Sequence, residues 1–150
     1  MTADRRRVLF LCTHNSARSQ MAEGLLRSMA SGQIEVVSAG SEPGGVHPLA
    51  VAVMQEVGIH IASARSKSLD EFAGQRFDYV ITLCDQAQES CPVFPGDPKL
   101  IHWSFPDPSA ATGDENDRYQ AFAQVRTELA IRLRTWIQAL RSSGADTAAP

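Results

Sequence analysis

Cys12 and Arg18 stand with five residues between them in Cys12-Thr-His-Asn-Ser-Ala-Arg18, and Ser19 follows directly. A thiol, a guanidinium and a short polar run between them can together hold a tetrahedral oxyanion. The backbone N–H groups of such a loop can converge on the anion at the positive end of a following helix. The guanidinium can clamp two of its oxygens while the sulfur lies beneath. The same cradle favours a thiolate, which makes Cys12 a candidate nucleophile. Ser19 can donate a hydrogen bond to that sulfur, and Asn15 can hold an unusual backbone conformation within the loop. The candidate substrate-binding positions are Thr13, His14, Asn15, Ser16, Ala17 and Arg18. Taken alone, this spacing also suits a core cysteine that ends a strand beside a surface arginine, so the surrounding elements must decide.

Two further groups could act with this loop. Cys84 and Cys91 lie seven residues apart, and three readings of them are open. Paired metal ligands more commonly show two-residue spacing and nearby histidines, whereas His14, His47, His60 and His102 are scattered. Both sulfurs could be buried and inert. The third reading is a relay, in which a thiolate near Cys12 attacks it and a mobile segment carries the bond outward to Cys91. Asp107, in Phe105-Pro-Asp107-Pro108, either makes a turn or acts as a general acid toward a departing oxygen.

The elements that must position these groups are legible from the apolar pattern. Val8 to Leu11 is a buried strand, and Ala17, Met21, Leu25 and Met29 recur behind it at helical spacing. Ile34 to Ser38 forms a second strand, Gly40 to Gly45 a turn, and Pro48 to Val57 a helix closed by Gly58. Ser68 caps a short helix through Phe72. Tyr79 to Leu83 and Lys99 to Trp103 complete the strands. Phe122, Val125, Leu129, Leu133, Trp136 and Leu140 mark a long last helix, with acidic residues at its start and arginines in its second half. Alternating strands and helices predict one parallel, three-layer α/β domain over residues 1–141, with 142–150 a disordered tail.

Composition narrows the class. At 150 residues and 43% hydrophobic content, the chain can build one core. With 14 basic and 17 acidic residues its formal charge is -3, and scattered basic residues argue against nucleic acid. No apolar run approaches the ~18 residues needed to span a bilayer, so a cytoplasmic location, no membrane partner and a monomer are expected. Three cysteines are too few, and odd in number, for a secreted disulfide framework.

The run from Val8 to Gly24, VLFLCTHNSARSQMAEG, resembles the low-molecular-weight tyrosine phosphatase superfamily and, within it, the thioredoxin-coupled arsenate reductases. The likeness extends from about Arg7 to Arg141. It implies a four-stranded parallel sheet flanked by helices, with Cys12 as nucleophile, Arg18 and Ser19 assisting, and Asp107 as general acid. Ser109 and Ala110 follow that Asp-Pro where related phosphatases carry a tyrosine, which weakens the alternative reading as a phosphatase acting on aryl phosphates.

Thr82-Leu-Cys84 and Cys91-Pro92 are similar to the reductases' relay elements. The implied reaction reduces arsenate to arsenite in arsenic detoxification, with phosphate or sulfate as competing oxyanions. A Cys84–Cys91 disulfide is then reduced by thioredoxin, an external reductant, with no bound cofactor and no catalytic metal. Some relatives hold a potassium ion beside the loop, and Asn15, Glu23 and Ser38 match three of its ligands. The acidic fourth position corresponds to Lys67, whose ammonium is expected to take the ion's place against Glu23.

Overall fold

The computed structural model describes residues 5–85 and 91–142, and the backbone of 143–148. Four strands, β1 (Arg6–Cys12), β2 (Ile34–Gly40), β3 (Tyr79–Thr82) and β4 (Lys99–His102), form one parallel sheet in the order β2-β1-β3-β4. Among the described residues, three α-helices accompany it: α1 (Arg18–Ala30), α2 (Pro48–Glu56) and α3 (Glu115–Ala148). Short 3-10 turns lie at Leu69–Phe72 and Pro108–Ala110, the first capped by Ser68. The expected three-layer α/β architecture is the one observed.

The chain leaves β1 for β2 on one side and later returns to β3 on the other. The C-terminal end of β1 therefore opens at the point where strand order reverses, which is where open parallel sheets bind ligands. Val8, Leu9, Phe10 and Leu11 are essentially inaccessible, as expected of a central strand covered on both faces. Against them pack Met21, Leu25 and Leu26 of α1 and Phe122, Val125, Leu129 and Leu133 of α3.

Helix α3 begins at a reciprocal cap. Asp114 accepts from the Asp117 amide at 2.8 Å while Asp117 accepts from the Asp114 amide at 3.1 Å. Two features of this helix differ from the sequence reading. Ile137, not Trp136, fills the core position after Leu133, because Trp136 turns its ring edge-on to Tyr79 and Trp103 at the border of the sheet. The helical backbone also runs through Ala148 rather than stopping at Arg141 as a disordered tail; no proline interrupts it, and backbone hydrogen bonds need no buried face to continue. Residues 149–150 lie outside the described residues.

Phe122 is fully buried and its ring lies 4.6 Å from that of His47, which caps α2. Truncation there removes packing from both helices, so Phe122→Ala is expected to cost about 3–5 kcal/mol, read as the shift in urea unfolding midpoint at unchanged slope.

Candidate active site

The loop from Cys12 to Arg18 is shaped by what its carbonyls do. The Thr13 oxygen accepts from the Glu42 amide, the His14 oxygen from the Gly44 amide and the Ser66 hydroxyl, and the Ser16 oxygen from the His47 amide. The Asn15 oxygen accepts from Ser66 and Gln20. In a trans peptide the N–H points opposite to the C=O. With successive carbonyls tied outward, the amides of His14 to Ala17 face the other way, into the crevice at the start of α1. Such a nest can hold an anion.

Asn15 anchors the loop. Its φ of 48° lies in the left-handed region, the unusual conformation expected of it. Its amide nitrogen donates to Ser19 Oγ at 2.8 Å and Ser38 Oγ at 2.9 Å, and its amide oxygen accepts from the Lys67 amide and from Gln20. Ser19, having accepted from Asn15, is left with its own proton to give. Cys12 Sγ lies 2.8 Å from that hydroxyl and is the acceptor open to that proton.

Beyond Ser38 the chain of hydrogen bonds reaches the buried Glu23 carboxylate, which accepts from Ser38 Oγ and pairs with Arg27 at 2.6 Å. Lys67 Nζ lies 3.6 Å from Glu23 Oε1 and donates to the Arg65 carbonyl at 2.8 Å. Burial pulls the Lys67 ammonium below the ordinary lysine range, with the Glu23 charge opposing that fall. Glu23 is thus met by two cations of the chain itself, and the donor set does not fit a further bound potassium ion.

Arg18 is largely buried. It donates to the Phe105 carbonyl at 3.0 Å and lies 3.8 Å from Asp107 Oδ2, so it joins the oxyanion loop to the Asp-Pro loop facing it. Asp107 sits below the usual carboxylate range. Burial works against this, but the Ser109 hydroxyl and amide both donate to it, and the Arg18 and His14 charges add to their effect. Ser109, singled out in the sequence only as a missing tyrosine, is the residue that holds the carboxylate.

Cys84 is buried where the chain leaves β3, with its Sγ 3.4 Å from Thr13 Oγ1. Leu83 N donates to Leu11 O, so β1 and β3 remain in register up to the two cysteines that follow. Cys91 is half-buried over the β3–β4 face, and burial pushes its thiol up. All three cysteines are free thiols. Residues 86–90, the segment expected to carry the bond, lie outside the described residues. Among the described residues, no three His, Cys, Asp or Glu side chains converge as a metal centre requires.

Residues 7–146 match the family of low molecular weight phosphotyrosine protein phosphatases. The chain belongs to that family. A relative named arsenate reductase, from Halalkalibacterium halodurans, is 40% identical over 131 residues, covering 87% of this chain and 94% of its own. The solved structure of an arsenate reductase in its phosphate-binding state is 33% identical with a TM-score of 0.72, covering 89% of this chain and 98% of that one. That of a thioredoxin-dependent arsenate reductase from Corynebacterium glutamicum is 31% identical, with a TM-score of 0.73 over 95% of this chain and 65% of that one.

Within this family site the loop positions divide by role. The amides of His14 to Ala17 face the crevice, while the Thr13 side chain meets Cys84, the Asn15 side chain holds the loop itself, and the His14 ring turns to the Glu42 carbonyl. Gly40 is a site residue that the sequence reading passed over as the opening of a turn. A Cβ there would stand 2.5 Å from the Thr13 oxygen, 2.7 Å from the Cys12 oxygen and 2.8 Å from the Asn15 nitrogen. A glycine ending a strand beside a ligand loop is the signal of such close approach. Gly40→Ala is expected to weaken phosphate binding, measured by titration calorimetry, about ten-fold or more and to cost about 1–3 kcal/mol of stability. Unchanged binding would show that the loop tolerates displacement.

Proposed function

We propose that this protein reduces arsenate to arsenite, through Cys12 and a disulfide relay over Cys84 and Cys91 that thioredoxin regenerates. The observation that carries the reading is the 3.4 Å contact between Thr13 Oγ1 and Cys84 Sγ, which sets a second buried thiol against the nucleophile's own loop. Phosphate ester hydrolysis has no use for that thiol. The relatives named arsenate reductase, one of them thioredoxin-dependent, support the same reading.

Cys12 attacks arsenic, with the loop amides and Arg18 holding the oxygens. Asp107 is ionised in the free protein, so the proton it passes to the departing oxygen comes from arsenate, which still carries one or two protons near neutral pH. Water leaves and a thiol-arsenate adduct remains. Cys84 then attacks the Cys12 sulfur. The sulfur–arsenic bond breaks with its electron pair on arsenic, which departs as arsenite, and a Cys12–Cys84 disulfide forms. Cys91 displaces Cys12 from Cys84, and the resulting Cys84–Cys91 disulfide is open to thioredoxin. The cycle calls on no bound metal, flavin or nicotinamide.

Single-turnover peptide mapping tests this scheme. Cys12→Ser should abolish arsenate reduction, since a hydroxyl is not ionised there. Cys84→Ser should stall with Cys12 arsenylated, and Cys91→Ser should accumulate the Cys12–Cys84 disulfide. Sustained turnover with thioredoxin in any of the three would reject the relay. Asp107→Asn should slow adduct formation by about 10²-fold while phosphate binding stays within a few-fold.

The Lys67–Glu23 pair adds an expectation about cations. Melting temperature and steady-state rate should be the same in matched potassium and sodium buffers, whereas Lys67→Asp should gain a potassium-specific rise in melting temperature. A potassium-specific gain in the unaltered protein would refute the built-in cation.

A further inference from the structure

The face of the sheet at β3 and β4 carries a second polar cluster, and the relay as described makes no use of it. The two strands pair in parallel with Val80 opposite Leu100 and Thr82 opposite His102. Side chains alternate along a strand, so these four share one face, and together with Cys91 they line a cavity of about 160 Å³. Thr82 Oγ1 lies 2.7 Å from His102 Nδ1, and His102 Nε2 lies 2.9 Å from Asp85 Oδ1. An ionised carboxylate only accepts, so the Nε2 proton is directed to Asp85. Nδ1 then holds the lone pair and accepts from the Thr82 hydroxyl. A hydroxyl, an imidazole and a carboxylate are thereby joined in line, with the hydroxyl buried at the cavity and the carboxylate in solvent.

We propose that His102, held between Thr82 and Asp85, is the base that accepts the Cys91 proton when Cys91 attacks Cys84 in the disulfide transfer. This rests on the relay reading. At rest the Cys91 thiol lies 3.6 Å from the Pro92 carbonyl, and burial keeps it a thiol, a poor nucleophile until its proton is removed. The proton crosses the cavity, through the Thr82 hydroxyl or a water held there, to His102 Nδ1. A Cys91–Cys84 bond forms, the Cys84–Cys12 bond breaks, and the electron pair leaves on Cys12 as the thiolate that the next oxyanion meets. The step involves no net oxidation. The imidazolium is balanced by Asp85, whose exposed carboxylate lets the proton pass on to water. Among the described residues, Asp85, which follows β3, hydrogen-bonds His102, and Cys91, from the segment before β4, shares the cavity with it. Lys99 and Tyr79 lie on the opposite face by alternation and pair with each other.

The test is a single turnover with arsenate and no thioredoxin, acid-quenched at intervals and mapped for disulfides from about pH 6 to about pH 9. The unaltered protein should pass through the Cys12–Cys84 disulfide to the Cys84–Cys91 disulfide. In His102→Gln, arsenite should be released at the original rate while the transfer slows about 10²-fold near neutral pH and recovers as pH rises. Asp85→Asn, a change at an exposed position that the fold tolerates, should slow the transfer about ten-fold with the same recovery. Transfer at the original rate in both variants would overturn the proposal. So would slowing by the same factor at every pH, the mark of a purely structural role. Failure of the unaltered protein to form either the Cys12–Cys84 or the Cys84–Cys91 disulfide would remove the relay itself, and that result needs no variant to be seen.

Discussion

The Asn15 side chain spends every donor and acceptor it has on four partners, Ser19, Ser38, Gln20 and the Lys67 amide, from within a loop whose backbone it holds at φ 48°. A left-handed conformation at a residue other than glycine costs about 1 kcal/mol or more, and asparagine is among the side chains that tolerate it best. Four hydrogen bonds in a buried setting outweigh that cost. What they secure is orientation. The turn at Asn15 lets the carbonyls on either side reach the 41–47 turn and Ser66, so that the amides face the crevice before any ligand arrives. Donors already aimed at the place where charge will develop need no reorganisation during reaction, which is the basis of electrostatic catalysis.

The same asparagine is linked through Ser19 to the Cys12 sulfur. Because it donates to Ser19, the Ser19 proton has Cys12 Sγ as its acceptor, and the loop and the sulfur are held as one unit. Its second donation, to Ser38, carries the network to Glu23. A buried carboxylate without a partner would be expensive, and Arg27 and Lys67 supply its counter-charge. The 65–67 segment that delivers Lys67 is itself fixed by the Gly40 amide and by Asn15. Loop, strand end and ion pair therefore stand or fall together, although only the loop lines the crevice.

Much of this could be read from the chain in advance, and the exceptions have a common cause. Cys12, Arg18, Ser19 and Asn15 were legible because their spacing lies within one strand-loop-helix unit, where local geometry follows from local sequence. The short helix capped by Ser68 was legible for the same reason. The match of Lys67 to Glu23 came from a family resemblance and holds in the structure. Gly40, Ser109 and the Thr82–His102–Asp85 line were not recognised, because each depends on which strand lies beside which. That order is set by packing across the sheet rather than by neighbours in sequence. The exchange of Trp136 for Ile137 in the core is similar: helical period allows both, and the aromatic edge contacts with Tyr79 and Trp103 decide.

The register between β1 and β3 brings two sulfur-bearing loops to one edge of the sheet, and the proposed reduction, unlike hydrolysis, uses both. The phosphate-shaped site alone accepts either chemistry. The most direct measurement is NADPH oxidation dependent on added arsenate, with thioredoxin and thioredoxin reductase present, run beside hydrolysis of an aryl phosphate on the same preparation. Arsenate-dependent oxidation that also requires thioredoxin, with aryl phosphate hydrolysed slowly or not at all, is the predicted result. Rapid hydrolysis with no arsenate-dependent oxidation would contradict the account.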